Sequence, residues 1–456
     1  MKKVIVFGTG TYYEQRKKYL ENVDIIAFLD NDINKQGNLL DGVEIISPKD
    51  LNKLSYDYII LMSMYQYDMK KQLLNLSVLS NKILEYTQIG RLDLQYKEYS
   101  NKYEIYKNFK KKALLITNNL ENSGAPRALA EVGKVLLNAN YEVYVVSPIT
   151  GKLEDFYISL GMHVLIEPDI TLANIHFVKW IKNLHLSICF INTIVYHYLI
   201  NNIQKYNFPI VWWIHENIRL PICHFENYKI EKNSNLTICV VGSLARKVMY
   251  EKFQLTNCIE LLYGCDDDNK VFSYVKKQDK LTFALIGYIH PIKAQDIFLN
   301  AINLLNSTKK SNIEFYIIGR LSDKSLYNEV LEASYNSENI KLIDELAPQE
   351  MLDFYQNIDI IVCPSRCDTM PMVVAEGLMN HKVCIVSDNT GYTELITDKI
   401  SGLICETESI LSLSNKMEWI IDNKHLIKKI GDNGRKIYEE YFSMETFEKK
   451  INKMIL

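Results

Sequence analysis

Residues 358–394 read IDIIVCPSRCDTMPMVVAEGLMNHKVCIVSDNTGYTE. The stretch opens on an apolar run, Ile358–Cys363, passes through a polar turn, and enters a helical run whose first turn is expected to hold Pro371. Proline is favoured there because its missing N–H has no intrahelical acceptor to lose. A second apolar run, Lys382–Val386, follows directly. Strand, helix and strand in succession form one unit of a parallel sheet, whose neighbouring strands require a crossover rather than a hairpin.

The same alternation extends outward and predicts three α/β series. The series that contains this stretch starts with Thr282–Ile286, continues through Ile313–Ile318 and Ile340–Ile343, and closes in a helix near 444–454. An earlier series runs through Ala113–Thr117, a loop at Asn118–Pro126, a helix from near Arg127, and strands at Tyr141–Val146, Ser187–Ile191, Ile210–Ile214 and Leu236–Val241. The first series has strands at Val4–Phe7, Ile25–Leu29, Tyr58–Met62 and near Ile83. The expected division is a Rossmann-like module at 1–92, a charged helical linker at 93–112, and Rossmann-like halves at 113–270 and 271–456. The last helix is expected to return to the 113–270 half.

Composition narrows the function classes. The chain has 456 residues, 48% hydrophobic and 23% charged, with a net charge of −3. Nucleic acid is not expected as a partner, since phosphate binding shows as a basic excess. Nine cysteines are scattered, and Cys363 and Cys367 have no second pair or nearby histidine to complete a zinc site. Cys189, Cys239 and Cys384 lie in apolar runs, as buried free thiols do, which points to a cytoplasmic location. No stretch reaches the about 18 apolar residues of a spanning helix, so membrane contact, if made, is expected to be peripheral, at the inner face.

Ligands of such sheets sit beyond the carboxyl ends of the strands. In the stretch quoted above, Asp368 and Glu376 flank a helix start where the N–H groups of Met372 and Val373 are available to a phosphate. A carboxylate one to two turns further in can accept from a vicinal diol such as a ribose. The segment resembles the acidic-x7-acidic signature of retaining glycosyltransferases of family four, with Pro364-Ser365-Arg366, the Pro371–Ala375 run and Thr390–Glu394 extending the likeness. The resemblance implies the GT-B fold, two Rossmann-like domains facing a cleft. It gives Glu376 the nucleotide ribose and Asp368 a place beside the donor sugar, and Gly391 falls in the donor-binding part of the pattern. Asp stands where Glu is commoner, one methylene shorter.

Residues 285–296, LIGYIHPIKAQD, resemble the same family's glycine–lysine segment, which implies that Lys293 contacts the donor diphosphate near Gly287. A fixed cation there stabilises the departing nucleotide. Relatives often carry Arg where this chain has Tyr288 or Ile292, and Gly where it has Ala294, so a helping cation is sought in Arg127, Arg320 or Arg366. Residues 120–127, LENSGAPR, resemble the small-residue loop that approaches the donor phosphate through Gly124. Residues 211–217, VWWIHEN, place His215 where the family has a histidine on the acceptor side.

The resemblance implies a transferase that uses no cofactor and no catalytic metal. Its donor would be a nucleoside-diphosphate sugar, a UDP-sugar first, and its acceptor a glycan, lipid-linked or protein group in bacterial surface-polysaccharide or glycoconjugate synthesis. A GT-B epimerase or phosphorylase, or a silent nucleotide-sugar-binding scaffold, are the rival readings. Asp266-Asp267-Asp268 is read as a solvated linker, and Ile175–Leu184 as an ordinary helix in preference to a membrane-surface one. In the first module, Gly8 and Gly10 with Asp30 form a weak ligand site, since Tyr13 takes the third glycine position of the dinucleotide fingerprint. Tyr13 and Lys17 match a dehydrogenase motif only by chance.

Overall fold

A computed structural model describes residues 1–21, 23–63, 65–85, 111–167, 170, 175–217, 230, 234–267, 280–306, 310, 312–346 and 348–455. The linker expected at 93–112 falls outside these, except for Lys111 and Lys112, which already belong to a strand. The chain divides into two compact units, Met1–Trp212 with Leu220–Thr237, and Trp213–Arg219 with Ile238–Leu456.

The first unit holds the N-terminal module. Strands β1 (Lys3–Phe7), β2 (Asp24–Leu29), β3 (Leu39–Leu40), β4 (Val43–Ile46), β5 (Tyr58–Leu61) and β6 (Ile83–Glu85) form a sheet in the order β3-β4-β2-β1-β5-β6, parallel except for β3 against β4. Val4, Val6, Phe28 and Ile60 pack on one face, and Ile5, Phe7, Ala27, Leu29 and Ile59 on the other. Burial on both faces is why these strands read as unbroken apolar runs.

The same unit holds β7 (Lys111–Ile116), β8 (Tyr141–Ser147), β9 (His163–Ile166), β10 (Ile188–Ile191) and the first part of β11 (Ile210–Ile214), running β11-β10-β7-β8-β9. The helix Gly124–Asn138 covers β7 and β8 with Leu129, Val132, Val135 and Leu136. In the helix Ile175–Asn183, Trp180 stacks with Phe177 and meets Tyr144 edge-on. Its aromatic face is therefore packed against the protein.

Strand β12 (Leu236–Val240) passes from the first unit into the second, where it pairs with β13 (Ile259–Glu260), and the second unit also holds a six-stranded parallel sheet. That sheet comprises β14 (Leu281–Ile286), β15 (Ile313–Ile318), β16 (Ile340–Ile343), β17 (Ile360–Cys363), β18 (Val383–Ser387) and β19 (Leu403–Cys405), ordered β16-β15-β14-β17-β18-β19. Every residue of β17 and β18 is buried. The boundary expected at 270/271 lies inside this unit, because the segment before it packs on C-terminal residues. The Tyr438 hydroxyl donates to the Cys265 carbonyl at 2.8 Å, and Gly264 leaves room for Met444 and Phe447 of the last helix, Met444–Ile455. Phe447 also stacks on Trp213, with ring centroids 6.0 Å apart. The strands missed by sequence reading, β3, β4, β9, β13 and β19, are all short and lie at or next to sheet edges, where no long apolar run is needed.

Candidate active site

The C-terminal sheet turns back on itself between β14 and β17. The chain proceeds from β14 outward to β15 and β16, then returns to β17 and continues to β18 and β19 on the other side. β14 and β17 are adjacent, with Phe283 opposite Ile360. Such a switch point opens a crevice beyond the strand ends. Its two walls are the segments 287–293 and 364–371, so both motifs singled out in the sequence meet there.

Lys293 Nζ lies 2.5 Å from Asp368 Oδ2, with side chains 17% and 18% exposed. Burial alone would lower the ammonium's pKa; the carboxylate outweighs it and holds the pKa above the ordinary lysine value. Tyr288 sets its ring 5.4 Å from the same Nζ. The lysine loop is rigidly supported. His290 caps a short turn over Pro291–Lys293 by accepting from the Ile292 N–H, and the buried Gln295 donates to the Tyr288 carbonyl at 3.0 Å. Ala294, in the left-handed region at φ 59°, then starts the helix Gln295–Leu304.

Arg366 joins this loop to the signature loop. Its guanidinium holds both oxygens of Asp296, at 3.0 and 2.6 Å, donates to the Pro291 carbonyl, and reaches Glu408 at 3.1 Å. Its backbone N–H donates to the Ile292 carbonyl at 2.9 Å. The structure therefore uses Arg366 as a clamp, not as an open cation for a ligand. Arg320 borders the lysine loop, its carbonyl accepting from the Ile289 N–H at 2.9 Å.

Pro371 stands just outside the helix Met372–Met379, as its N-cap, where the sequence placed it inside the first turn. Met372 and Val373 occupy that turn, whose N–H groups have no intrahelical acceptor. Glu376, half-buried, accepts a hydrogen bond from the Tyr355 hydroxyl at 2.7 Å. Gly391 is required by close approach, since an added Cβ would lie 2.1 Å from the Thr369 carbonyl oxygen. Its N–H donates to that oxygen at 3.0 Å, so Gly391 shapes the loop beneath the site.

His215 faces the same loop through its backbone: its carbonyl accepts from the Thr369 hydroxyl at 2.6 Å, and Asn217 donates to the Cys367 carbonyl at 3.2 Å. Its ring lies on Trp213, with centroids 4.3 Å apart, and Nε2 is buried without a hydrogen-bond partner. Desolvation pushes the imidazole pKa down to about 3, so the ring is neutral. Beneath, the hydroxyls of Tyr263 and Tyr392 bond to each other at 2.9 Å, and Tyr263 also bonds to the Met370 carbonyl at 3.0 Å. Tyr263 and Tyr355 lie outside the motifs quoted from the sequence, and only the fold brings them to the site.

Residues 266–437 match the family described as glycosyl transferases group 1. This segment is a group 1 glycosyltransferase domain. Residues 1–84 match a second family, C2185-like, N-terminal. The chain is similar to an uncharacterized glycosyltransferase of Methanocaldococcus jannaschii, 29% identical over 35% of this chain and 43% of that protein. It is also similar to the capsular polysaccharide biosynthesis glycosyltransferase CapM of Staphylococcus aureus, 24% identical over 49% of this chain and 56% of CapM. The chain thus spans about half the length of these relatives. Anabaena HepE, solved in complex with UDP-glucose, covers 75% of this chain and 99% of its own, with a TM-score of 0.63 and 12% identity. The fold is therefore GT-B.

Outside the group 1 domain, Gly124 and Arg127 lie in the first turn of the helix Gly124–Asn138, and Asn192 Nδ2 donates to the Ala125 carbonyl at 2.8 Å. In the module, Gly8 has φ 106° and an added Cβ would lie 2.6 Å from the Met62 carbonyl oxygen, while Gly10 faces open space. Asp30 accepts from Thr9, from Lys35 at 3.0 Å and from the Asp32 N–H at 2.9 Å. Tyr13 fills the gap between helix and sheet, edge-on to Phe28 at 4.8 Å, and its hydroxyl donates to Asp41 at 2.9 Å. Burial pushes this phenol's pKa up, opposite to what proton transfer by a Tyr–Lys pair needs.

Asp267 is ion-paired with Arg435 at 2.6 Å, and Asp268 lies outside the described residues. Among the described residues no group of three or more His, Cys, Asp or Glu could hold a metal ion, and no helix is long and apolar enough to cross a membrane.

Proposed function

We propose that this protein transfers a sugar, with retention of configuration, from a nucleoside-diphosphate sugar to a glycan or lipid-linked acceptor in surface-polysaccharide or glycoconjugate synthesis. The observation that carries this reading is the half-buried Lys293–Asp368 pair at the β14/β17 switch point, beside the first turn of the helix Met372–Met379. A diphosphate on that turn has N–H groups for its oxygens and the lysine for the charge that grows as the glycosidic bond breaks. Asp368 holds the ammonium in place and lies where the donor sugar would sit. Glu376 takes the ribose. His215, neutral, is suited to hydrogen-bond a sugar hydroxyl and not to neutralise charge. Gly287 and Gly391 shape the loops around the donor. Gly124 belongs to the segment that resembles the family's small-residue loop, and Arg127 and Arg320 are kept as candidate helping cations.

The bond to the acceptor would form on the face the nucleotide leaves, with the leaving phosphate taking the acceptor proton. The protein then contributes positioning and electrostatic stabilisation more than a nucleophile. A UDP-sugar is the first donor to test, as HepE was solved with UDP-glucose. The name of CapM supports a polysaccharide setting. No cofactor or catalytic metal enters this scheme.

The test is a panel of nucleotide sugars with and without glycan and lipid-linked acceptors, scored by nucleotide release and by the anomeric configuration of the product. Acceptor-dependent release with a retained anomer is expected. Release of free sugar without acceptor would favour an epimerase, and binding without turnover a silent scaffold.

A further inference from the structure

Tyr355 is the last residue of the helix Pro348–Tyr355 and is 2% exposed. Its hydroxyl donates to Glu376 Oε2 at 2.7 Å, across from one helix of the sheet's flank to the next. A buried tyrosine hydroxyl needs an acceptor, and a main-chain carbonyl would serve. Here it is instead given to the one carboxylate of the second turn of Met372–Met379, the group proposed to hold the ribose. A glutamate on a helix face has three side-chain torsions to order when a ligand arrives. A tyrosine has two, already fixed by packing, and its hydrogen bond to a charged acceptor is among the stronger kinds.

We infer that Tyr355 is a positioning residue that preorganises Glu376, so that this site selects nucleoside diphosphates with an intact ribose diol over their deoxy counterparts. The inference rests on the reading of Glu376 as the ribose acceptor. Preorganisation raises affinity by removing an ordering cost before binding. It acts on the ribose contact and leaves the reacting bond alone, so Tyr355→Phe should raise donor KM with kcat unchanged.

The experiment compares UDP with 2′-deoxy-UDP and 3′-deoxy-UDP by calorimetry on the full chain, with the GDP and ADP sets in parallel so that the tightest-binding base is used. Wild type, Tyr355→Phe and Glu376→Gln are measured, and thermal melting confirms that each is folded. In wild type the ribonucleotide should bind about tenfold tighter than either deoxy form, because a hydroxyl bonded to a carboxylate is lost. In Tyr355→Phe, ribonucleotide affinity should fall about three- to tenfold and the affinity of the deoxy forms, which keep one hydroxyl on Glu376, should fall less, narrowing the ratio. A wild-type ratio in folded Tyr355→Phe, together with a collapsed ratio in Glu376→Gln, overturns the positioning role alone. A wild-type ratio in Glu376→Gln overturns the ribose assignment beneath it.

Discussion

In the N-terminal module the chain reverses direction between β1 and β5, and in the C-terminal sheet between β14 and β17. Each reversal has a glycine after its first strand, and near each strand end a lysine pairs with an aspartate. The lysines of the two pairs differ in depth, while the aspartates, 15% and 18% exposed, do not. The Lys35 side chain is 44% exposed and its partner Asp30 is also held by Thr9 and the Asp32 N–H, whereas Lys293 is 17% exposed and Asp368 18%. Charges in water interact weakly, and the same charges half-removed from it interact several times more strongly. The helix beside the module's glycines has six residues, too short to add a strong dipole, and Tyr13 fills the space behind it. Topology supplies the place in both sheets; burial and the loop contents decide whether a place can do charge chemistry.

The comparison breaks most directly at the two lysine–aspartate pairs. Lys293→Ala should lower kcat by about 10²–10³ while raising donor KM far less, since the charge it faces grows mainly in the transition state. Asp30→Ala should leave turnover within about twofold, the scale of an ordinary surface change. Steady-state kinetics on the two variants would reverse the argument if Asp30→Ala proved the more damaging.

The next effect tests the loop clamp, which the module lacks. Asp296→Ala removes the carboxylate that takes both arms of Arg366, so the lysine loop loses its tie to the signature loop. A shift of the lysine by a fraction of an ångström is enough for about a tenfold loss of kcat. Arg366→Lys should do nearly as much harm, because a point charge cannot reproduce the forked contact. Wild-type turnover in both would mean that Gln295 and His290 hold the loop unaided.

The three parallel series and the two motifs at the switch point were legible in the sequence, because buried strands must be apolar and the loops after them carry unusual residue types. Arg366 is one of three arginines sought as a helping cation, and its tie to Asp296 is not legible because that partner lies far off in sequence and becomes adjacent only through the pairing of β14 with β17. Tyr355 and Tyr263 were invisible for the same reason, since a tyrosine in so tyrosine-rich a chain announces nothing until folding places its hydroxyl. The packing of Gly264 and Cys265 on the last two helices, which places that segment in the second unit, has no local signal in the sequence.

A smaller effect separates the histidine at the C-terminal site from an ordinary surface group. The folded His215 pKa lies near 3, below its ordinary value of 6.5, so between these values the unfolded chain binds more protons than the folded one. Stability from this group is complete above pH 6.5 and is lost as pH falls toward 3, with a slope of at most about 1.4 kcal/mol per pH unit. His215→Phe should flatten denaturant-unfolding stability across that window and leave it unchanged above it. An unchanged acid slope would place the titrating group elsewhere.

The smallest effect concerns Ala294, which sits at φ 59° and is fully buried where the lysine loop enters its helix. The left-handed conformation costs an L-residue about 1–2 kcal/mol, which favours glycine. Glycine would in turn lose about 0.5–1 kcal/mol through the greater freedom of the unfolded chain, and about 0.8 kcal/mol through loss of one buried methyl. These terms nearly cancel, so Ala294→Gly should change stability by less than about 0.5 kcal/mol, with turnover intact. Ala294→Val meets the same backbone with a branched side chain that tolerates it poorly, and should lose more than about 2 kcal/mol. Chemical denaturation of the two variants decides the point. If valine were tolerated as well as glycine, this turn would not be held in the left-handed region, and the rigidity ascribed to the lysine loop would have to come from Gln295 and Arg366 alone.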